Sequence, residues 1–419
     1  MITRRNLLAG GAAAAATLPL ITESASAQSS ELFVFDASAP LPHKDLFFPF
    51  KGTYLNNASQ HPVSRIARQA MDHYLDYKKF SEPGGSYPFG EMRDRLRTNY
   101  AELINADVDD ICFVASTTVG ENLILQALDI PGKPGRVVTD ELHFVGSLPT
   151  YAELARQGMD VVTIRAGEDG SIDLDAYEQA INDDTRLVAV SSVSMLNGFT
   201  HDLKALCELA HAHGALVYAD TVQGVGNTPI DVRDSGVDFT SASGYKWLMG
   251  DMGLGMMSVR KDRLHLLKRP WYGSNQLARR THMGFPTPGS ENADAVTNYE
   301  YLDSALGYFA MGTVANSVTA ALDASLQYLL ATGVERIQAY RQPLIDHLQD
   351  ELPRLGYPTI TPRGTGSAIV SFRHDDRDGL RKKLNDAGIT ITVSQHYFRV
   401  SVSVFNDMDD IERLVRALA

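Results

Sequence analysis

Between Ile111 and Val259 short apolar runs alternate with amphipathic stretches, and this alternation most limits what the chain can fold into. Ile111–Ala115, Arg136–Thr139, Asp160–Ile164, Leu187–Val193 and Leu216–Ala219 read as buried strands, and a further strand lies at Gly255–Val259. Helical patterns at Gly120–Leu128, Ser147–Arg156, Asp173–Ile181 and Leu203–His213 separate the first five. Strand–helix alternation predicts crossover units and a mainly parallel sheet, buried on both faces. Two amphipathic helices, Val63–Phe80 and Phe89–Ile104, precede this region, with a loop at Glu82–Tyr87. From Tyr299 the character changes to a long Ala/Leu-rich helical stretch, Asp303–Thr332, and a second at Val334–Leu352. Short strands at Ala368–Phe372 and Phe398–Val402, with helices at Gly379–Ala387 and Asp409–Leu418, predict a smaller α+β unit.

The first 27 residues are read separately. Thr3-Arg4-Arg5-Asn6-Leu7-Leu8 is a twin-arginine export motif, followed by a weakly apolar Ala/Gly-rich run and a small-residue cleavage site, Ala25-Ser26-Ala27. The run is shorter than the roughly 20 residues a membrane span needs, so a cleaved signal and a periplasmic location are expected, with no stable membrane anchor. The expected organisation is a signal at 1–27, an extended segment at 28–52, a large domain at 53–298 and a small domain at 299–419. Formal charge is −13, from 38 basic and 51 acidic residues, which argues against nucleic-acid binding. The two cysteines, Cys112 and Cys207, show no metal-ligand or disulfide-framework spacing.

Chemistry concentrates in Leu216–Gly255. The Leu216–Ala219 strand delivers Asp220 to its C-terminal end, the edge at which open parallel sheets bind ligands. A second strand-like run at Val237–Phe239 comes next; Lys246 then follows Ser243, Gly244 and Tyr245 and precedes Trp247 and Leu248, which is poor company for a solvated charge. Partial desolvation there makes the amine easier to deprotonate and more nucleophilic. An acid and such a lysine at two strand ends suit pyridoxal 5'-phosphate (PLP), whose aldehyde bonds an amine and whose ring nitrogen pairs with a carboxylate.

The runs Ala219-Asp220-Thr221-Val222-Gln223-Gly224-Val225-Gly226 and Ser243-Gly244-Tyr245-Lys246-Trp247-Leu248-x-Gly250 resemble class V of the fold-type I PLP-dependent enzymes, from about Thr53 to the C-terminus. That class includes cysteine desulfurases, isopenicillin N epimerase-like proteins and kynureninase-like lyases. The resemblance implies a seven-stranded-type sheet between helices and a homodimer. It places Lys246 as the Schiff-base lysine and proton shuttle, Asp220 on the pyridine nitrogen and Gln223 on the ring hydroxyl. Ala115-Ser116-Thr117-Thr118-Val119-Gly120-Glu121-Asn122 resembles the family's phosphate turn, which implies phosphate contacts from Thr117 and Thr118, with Ser243 adding another. His143 matches the aromatic residue stacked on the cofactor ring. Thr313, in Gly312-Thr313, matches the element that reaches the neighbouring subunit's phosphate. Arg399, in the Phe398–Asn406 run, would take a substrate α-carboxylate, and Asn57, in Tyr54-Leu55-Asn56-Asn57-Ala58, would line the substrate side.

Departures from the family pattern bear on the reaction. Desulfurases carry a mobile catalytic cysteine shortly before the arginine strand, but Thr392–Tyr397 contains none. Cys112 on a buried strand and Cys207 on a helix are poor thiolate candidates. The expected activity is chemistry at the Cα–amino centre of an amino-acid-like or peptide-like metabolite: epimerisation, transamination, decarboxylation or lyase chemistry. One alternative is a desulfurase-like C–S lyase without a catalytic cysteine. Another, of a different class, is a non-catalytic periplasmic binding protein. A nicotinamide-dependent oxidoreductase is disfavoured, because Gly250–Gly255 lacks the G-x-G-x-x-G spacing and comes late.

Overall fold

The large sheet follows from its apolar runs. In chain order its strands are β1 (Ile111–Val114), β2 (Arg136–Asp140), β3 (Asp160–Ile164), β4 (Thr185–Ser191), β5 (Leu216–Asp220), β6 (Phe239–Ser243) and β7 (Gly255–Val259). This computed structural model describes residues 33–79, 87–280 and 299–419. The twin-arginine motif, the cleavage site after Ala27 and most of the Glu82–Tyr87 loop lie outside the described residues. Among those described, no helix is long and apolar enough to cross a membrane.

Spatial order in the sheet is β1-β7-β6-β5-β4-β2-β3. All neighbours run parallel except β7, which is antiparallel to both β1 and β6. The central strands are buried along nearly their whole length, as a sheet covered by helices on both faces requires. Edge strand β3 is partly exposed. Parallel register aligns Ser191 with Asp220, and Asp220 with Ser241, so the polar ends of β4, β5 and β6 share one edge.

The chain departs from its sequence reading at two places that shape the site. Strand β6 extends to Ser243, past the strand-like run at Val237–Phe239. Its two serine hydroxyls are buried yet satisfied: Ser241 Oγ lies 2.5 Å from Tyr218 Oη, and Ser243 Oγ accepts from the Thr117 N–H at 3.2 Å. The long helical stretch at 303–332 is two helices, Ala305–Phe309 and Asn316–Thr332, separated by a turn around Gly312.

A three-stranded antiparallel sheet forms the C-terminal part, with β8 (Ile369–Arg373), β9 (Thr392–Val393) and β10 (Tyr397–Ser401) in the order β8-β10-β9. Helices Val334–Arg354, Arg377–Ala387 and Met408–Leu418 accompany it, and Leu348, Phe372, Phe398 and Ile411 fill the core they share. Leu55, Ala58, Val193 and Trp247 join the same core, so it extends to the loops at the polar edge of the large sheet. Residues Val34–Ala419 accordingly form one compact unit.

One glycine fixes this junction. Gly198 has φ +74°, and a Cβ there would lie 2.2 Å from the Ile369 carbonyl oxygen of β8. Left-handed backbone at a non-glycine residue costs on the order of 1–3 kcal/mol before the clash is counted. Gly198→Ala should therefore lower the stability measured by urea unfolding by about 2 kcal/mol or more. An unchanged midpoint would show that this approach is not tight.

Candidate active site

Two turns set the site's geometry. At the end of β5, Asp220 Oδ1 accepts from the Val222 N–H at 2.9 Å, which turns the chain sharply away from the strand. At the end of β2, Asp140 Oδ1 accepts from the Leu142 N–H at 2.7 Å and carries the chain into His143. Short Asp side chains bonding the backbone two residues ahead are a local turn device. Both functional side chains therefore leave the same edge of the sheet.

Asp220 is fully buried, and its Oδ2 has no hydrogen-bond partner. Burial pushes its carboxyl up to about 6, opposed by the charge of His143, the Val222 N–H and Lys246. Lys246 is 6% exposed and makes no hydrogen bond or ion pair among the described residues. Its Nζ stands 5.6 Å from the Tyr245 ring centre and 5.9 Å from that of Phe144. Desolvation lowers its amine to about 8, with Asp220 opposing the shift and Arg399 adding to it. A sizeable fraction of Lys246 is therefore uncharged near neutral pH and able to act as a nucleophile.

The phosphate-turn residues open helix Thr117–Ala127, where Ser116 is the N-cap and its Oγ accepts from the Val119 N–H at 3.3 Å. Gly120 keeps that helix end close to β6, because a Cβ there would meet the Ser241 side chain at 3.0 Å. Thr117 is buried beside Ser243, whereas Thr118 is exposed. Unpaired N–H groups at such an end attract anions.

His143 is buried with both ring nitrogens engaged. Nε2 is 2.9 Å from Glu121 Oε1, and Nδ1 is 2.9 Å from Ser191 Oγ. Gln223 spans the site wall, donating from Nε2 to the Ala58 carbonyl at 3.0 Å and accepting from the Trp247 indole at 2.8 Å. One Nε2 hydrogen of Gln223 is left over for another acceptor.

Arg399, on β10, is 3% exposed and has no carboxylate partner. Its Nη1 donates to the Met195 carbonyl at 2.7 Å, and its Nη2 to Ser59 Oγ at 2.7 Å and Thr392 Oγ1 at 3.2 Å. Its Nε has no partner. A buried guanidinium held only by neutral groups is prepared for an incoming anion. Asn56 supports this clamp, accepting from Ser59 Oγ at 2.9 Å and Thr392 Oγ1 at 2.7 Å. Asn57 instead donates to the Ser401 carbonyl at 2.8 Å and ties its segment to β10. The structure thus brings Asn56, rather than Asn57, to the arginine. Thr313 is exposed on the turn between two helices, with no hydrogen bond to the residues above.

Sequence reasoning overlooked Glu121, Phe144, Ser59, Thr392 and the Met195 carbonyl. A clue to Glu121 was present: an acidic residue inside a helix whose neighbours Leu123, Ile124 and Leu125 are apolar. Both cysteines are free and buried, Cys112 on β1 and Cys207 on helix Leu203–Ala212. Burial pushes each thiol up to about 12. Neither is a nucleophile at neutral pH.

The sequence profile of the family "Aminotransferase class-V" matches residues 54–414. A cysteine desulfurase of Haloferax volcanii is 27% identical over 413 residues, covering 91% of this chain and 92% of that protein. The apo structure of a cysteine desulfurase from Thermococcus onnurineus NA1 has a TM-score of 0.76 at 22% identity, covering 90% of this chain and 97% of that one. The cystine C–S lyase C-DES, solved in complex with its reaction product cysteine persulfide, has a TM-score of 0.75 at 20% identity, covering 88% and 97%. The fold is therefore that of the fold-type I transferases, and the profile extends over most of the chain. The chain belongs to the class-V aminotransferase family.

Proposed function

We propose that this protein is a PLP-dependent enzyme that cleaves the C–S bond of a sulfur-bearing α-amino acid by elimination, without a cysteine nucleophile. The carrying observation is that the cluster of Asp220, Lys246 and Arg399 is intact while both thiols are buried and protonated. Relatives named as desulfurases, together with a fold neighbour named as a cystine C–S lyase, favour this over epimerisation.

The residues fit the cofactor. The unpartnered Asp220 Oδ2 suits a protonated ring nitrogen, and the unpaired Lys246 amine suits an aldehyde. The end of helix Thr117–Ala127, with Ser243 beside it, suits a phosphate. PLP supplies an electron-accepting ring that makes the Cα proton of a bound amino acid acidic and lets a β-substituent leave. Arg399 orients the substrate through its carboxylate. Lys246, placed at the same sheet edge with a lowered amine pKa, would take the Cα proton of the bound amino acid. Tyr245 and Phe144 flank the lysine and restrict water there. With cystine, the balanced outcome consumes one water and yields pyruvate, ammonia and cysteine persulfide.

With L-cystine, the PLP-loaded protein should release pyruvate and ammonia in equal amounts alongside persulfide. Lys246→Ala should lower turnover at least about 1,000-fold. Arg399→Ala should retain the cofactor's visible absorbance but lose roughly 100-fold in kcat/KM, as expected for truncating one partner of a buried charge pair. Racemised or transaminated amino acid without pyruvate would sink the elimination reading.

The lysine also sets a pH dependence. Because its folded pKa lies near 8, the rate at which cofactor-free protein takes up PLP should rise through pH 8 and level off above it. A rate that is flat between pH 6.5 and 9.5 in stopped-flow absorbance would contradict this.

Export by the twin-arginine route is part of the proposal, supported by Thr3–Leu8 and Ala25–Ala27 in the sequence. Replacing Arg4 and Arg5 together by lysine should leave the protein in the cytoplasmic fraction. Undiminished periplasmic enzyme would remove the signal assignment.

A further inference from the structure

His143 stands at the centre of a buried network that the elimination steps above do not use. Glu121, 2% exposed on the first turns of helix Thr117–Ala127, faces three donors. Its Oε1 accepts from His143 Nε2 and from the Tyr151 hydroxyl, and its Oε2 accepts from the Ser147 hydroxyl. Tyr151 belongs to helix Leu148–Arg156 and Ser147 is that helix's N-cap residue, so the carboxylate is gripped from a second element. On its other edge the imidazole meets Ser191 Oγ at the end of β4. Four elements thus converge on one ring: the two helices, β4 and the turn after β2.

A carboxylate can only accept, so the Glu121 contact requires the proton on Nε2. Nδ1 then either accepts from Ser191 or, in the charged ring, donates to it. Both contacts lie at ring nitrogens, and hydrogen bonds to an imidazole run in its plane. The ring is therefore tied at both edges, and only its faces remain for a neighbour.

We propose that Glu121 is a positioning residue that retains the Nε2 proton of His143 and fixes the ring plane, so that His143 serves the site with its face and does not carry protons. This rests on the proposed function, with His143 against the cofactor ring as the family resemblance implies. Electrostatics agree with the geometry. Burial opposes charge on His143, but Glu121 outweighs it, with Asp220 and Asp140 helping, and the imidazole is held above its ordinary value. Glu121, although buried, is held below the usual carboxylate range by His143, Ser147 and Tyr151. The groups facing this pair are Glu121, Ser147 and Tyr151 from the helices, Asp140 from β2, Ser191 from β4 and Asp220 from β5, with Lys246 acting on Asp220. A charged His143 in turn is the largest influence keeping Asp220 ionised against its burial.

The test is side-chain nitrogen NMR of the purified full chain labelled with ¹⁵N-histidine. The His143 signal is assigned by its loss in His143→Phe. Wild type should show a protonated Nε2 across pH 6–8, with slow exchange against water. Finding Nε2 bare at neutral pH overturns the proposal without any variant. Glu121→Gln should bring the His143 titration down by at least one pH unit and lower kcat for pyruvate release about tenfold, with KM changed less than twofold. An unmoved His143 titration in Glu121→Gln overturns it as well. Because the NMR readout does not depend on which Cα bond breaks, its failure is separable from failure of the C–S lyase reading.

Discussion

An aspartate completely withdrawn from water, with one oxygen left unpaired, is the constraint around which the site is built. Isolating a carboxylate this way costs several kcal/mol, and proteins ordinarily avoid it or neutralise the group. Here the cost is borne at the polar edge of a parallel sheet, where register has already gathered the ends of β4, β5 and β6. The Val222 N–H partners one oxygen, and the charges of His143 and Lys246 act on the carboxyl without bonding the other. What remains unsatisfied is directional, and a protonated heterocycle nitrogen would satisfy it.

The same logic recurs at Arg399, buried among hydroxyls and a carbonyl with its Nε unpaired. Asp220, Lys246 and Arg399 each lack a partner, and each missing partner is a group that an amino-acid substrate or its cofactor carries. The fold stores this incompleteness in rigid elements. Asn56, Ser59 and Thr392 brace the arginine, while Gln223 ties Ala58 to Trp247 across the wall. Preorganised polar groups of this kind need little rearrangement when charge develops in the reaction.

Arg399 was legible only through the family run it sits in, whereas Asp220 and Lys246 were legible because each stands out against its local sequence: an acid ending an apolar strand, a lysine among aromatics. The sheet was legible for the same reason, since apolar runs of strand length between helical periods admit few other folds. The braces were not. Glu121 meets Ser147 and Tyr151 about 26 and 30 residues away, and Ser59 meets Arg399 across 340 residues. Nothing local marks such partners, because their roles exist only after the chain closes. Asn56 and Asn57 show the limit most directly. They are adjacent and chemically identical, yet the turn that begins there points them to different partners, Asn56 to the hydroxyls beside Arg399 and Asn57 to the Ser401 carbonyl.

The segment before Arg399 bears on the proposed sulfur chemistry. Strand β9 pairs with β10 through Thr392 and Val393, leaving Ser394, Gln395 and His396 at the tip of the hairpin. The Ser394 N–H closes the hairpin onto the Tyr397 carbonyl at 2.8 Å, and Thr392 is committed to Asn56 and Arg399. A mobile arm carrying a nucleophile needs length and freedom, and this short, braced hairpin offers neither. A persulfide relay on the protein would require a thiol that this turn lacks and that Cys112 and Cys207, both buried, do not provide. Under the proposed elimination, sulfur leaving the substrate departs on its own carrier, as sulfide or as a persulfide formed from a disulfide substrate. A disulfide makes the better leaving group, because a persulfide anion is a weaker base than a simple thiolate. Under the proposed elimination, the burial of both thiols favours an amino acid that already holds its sulfur acceptor.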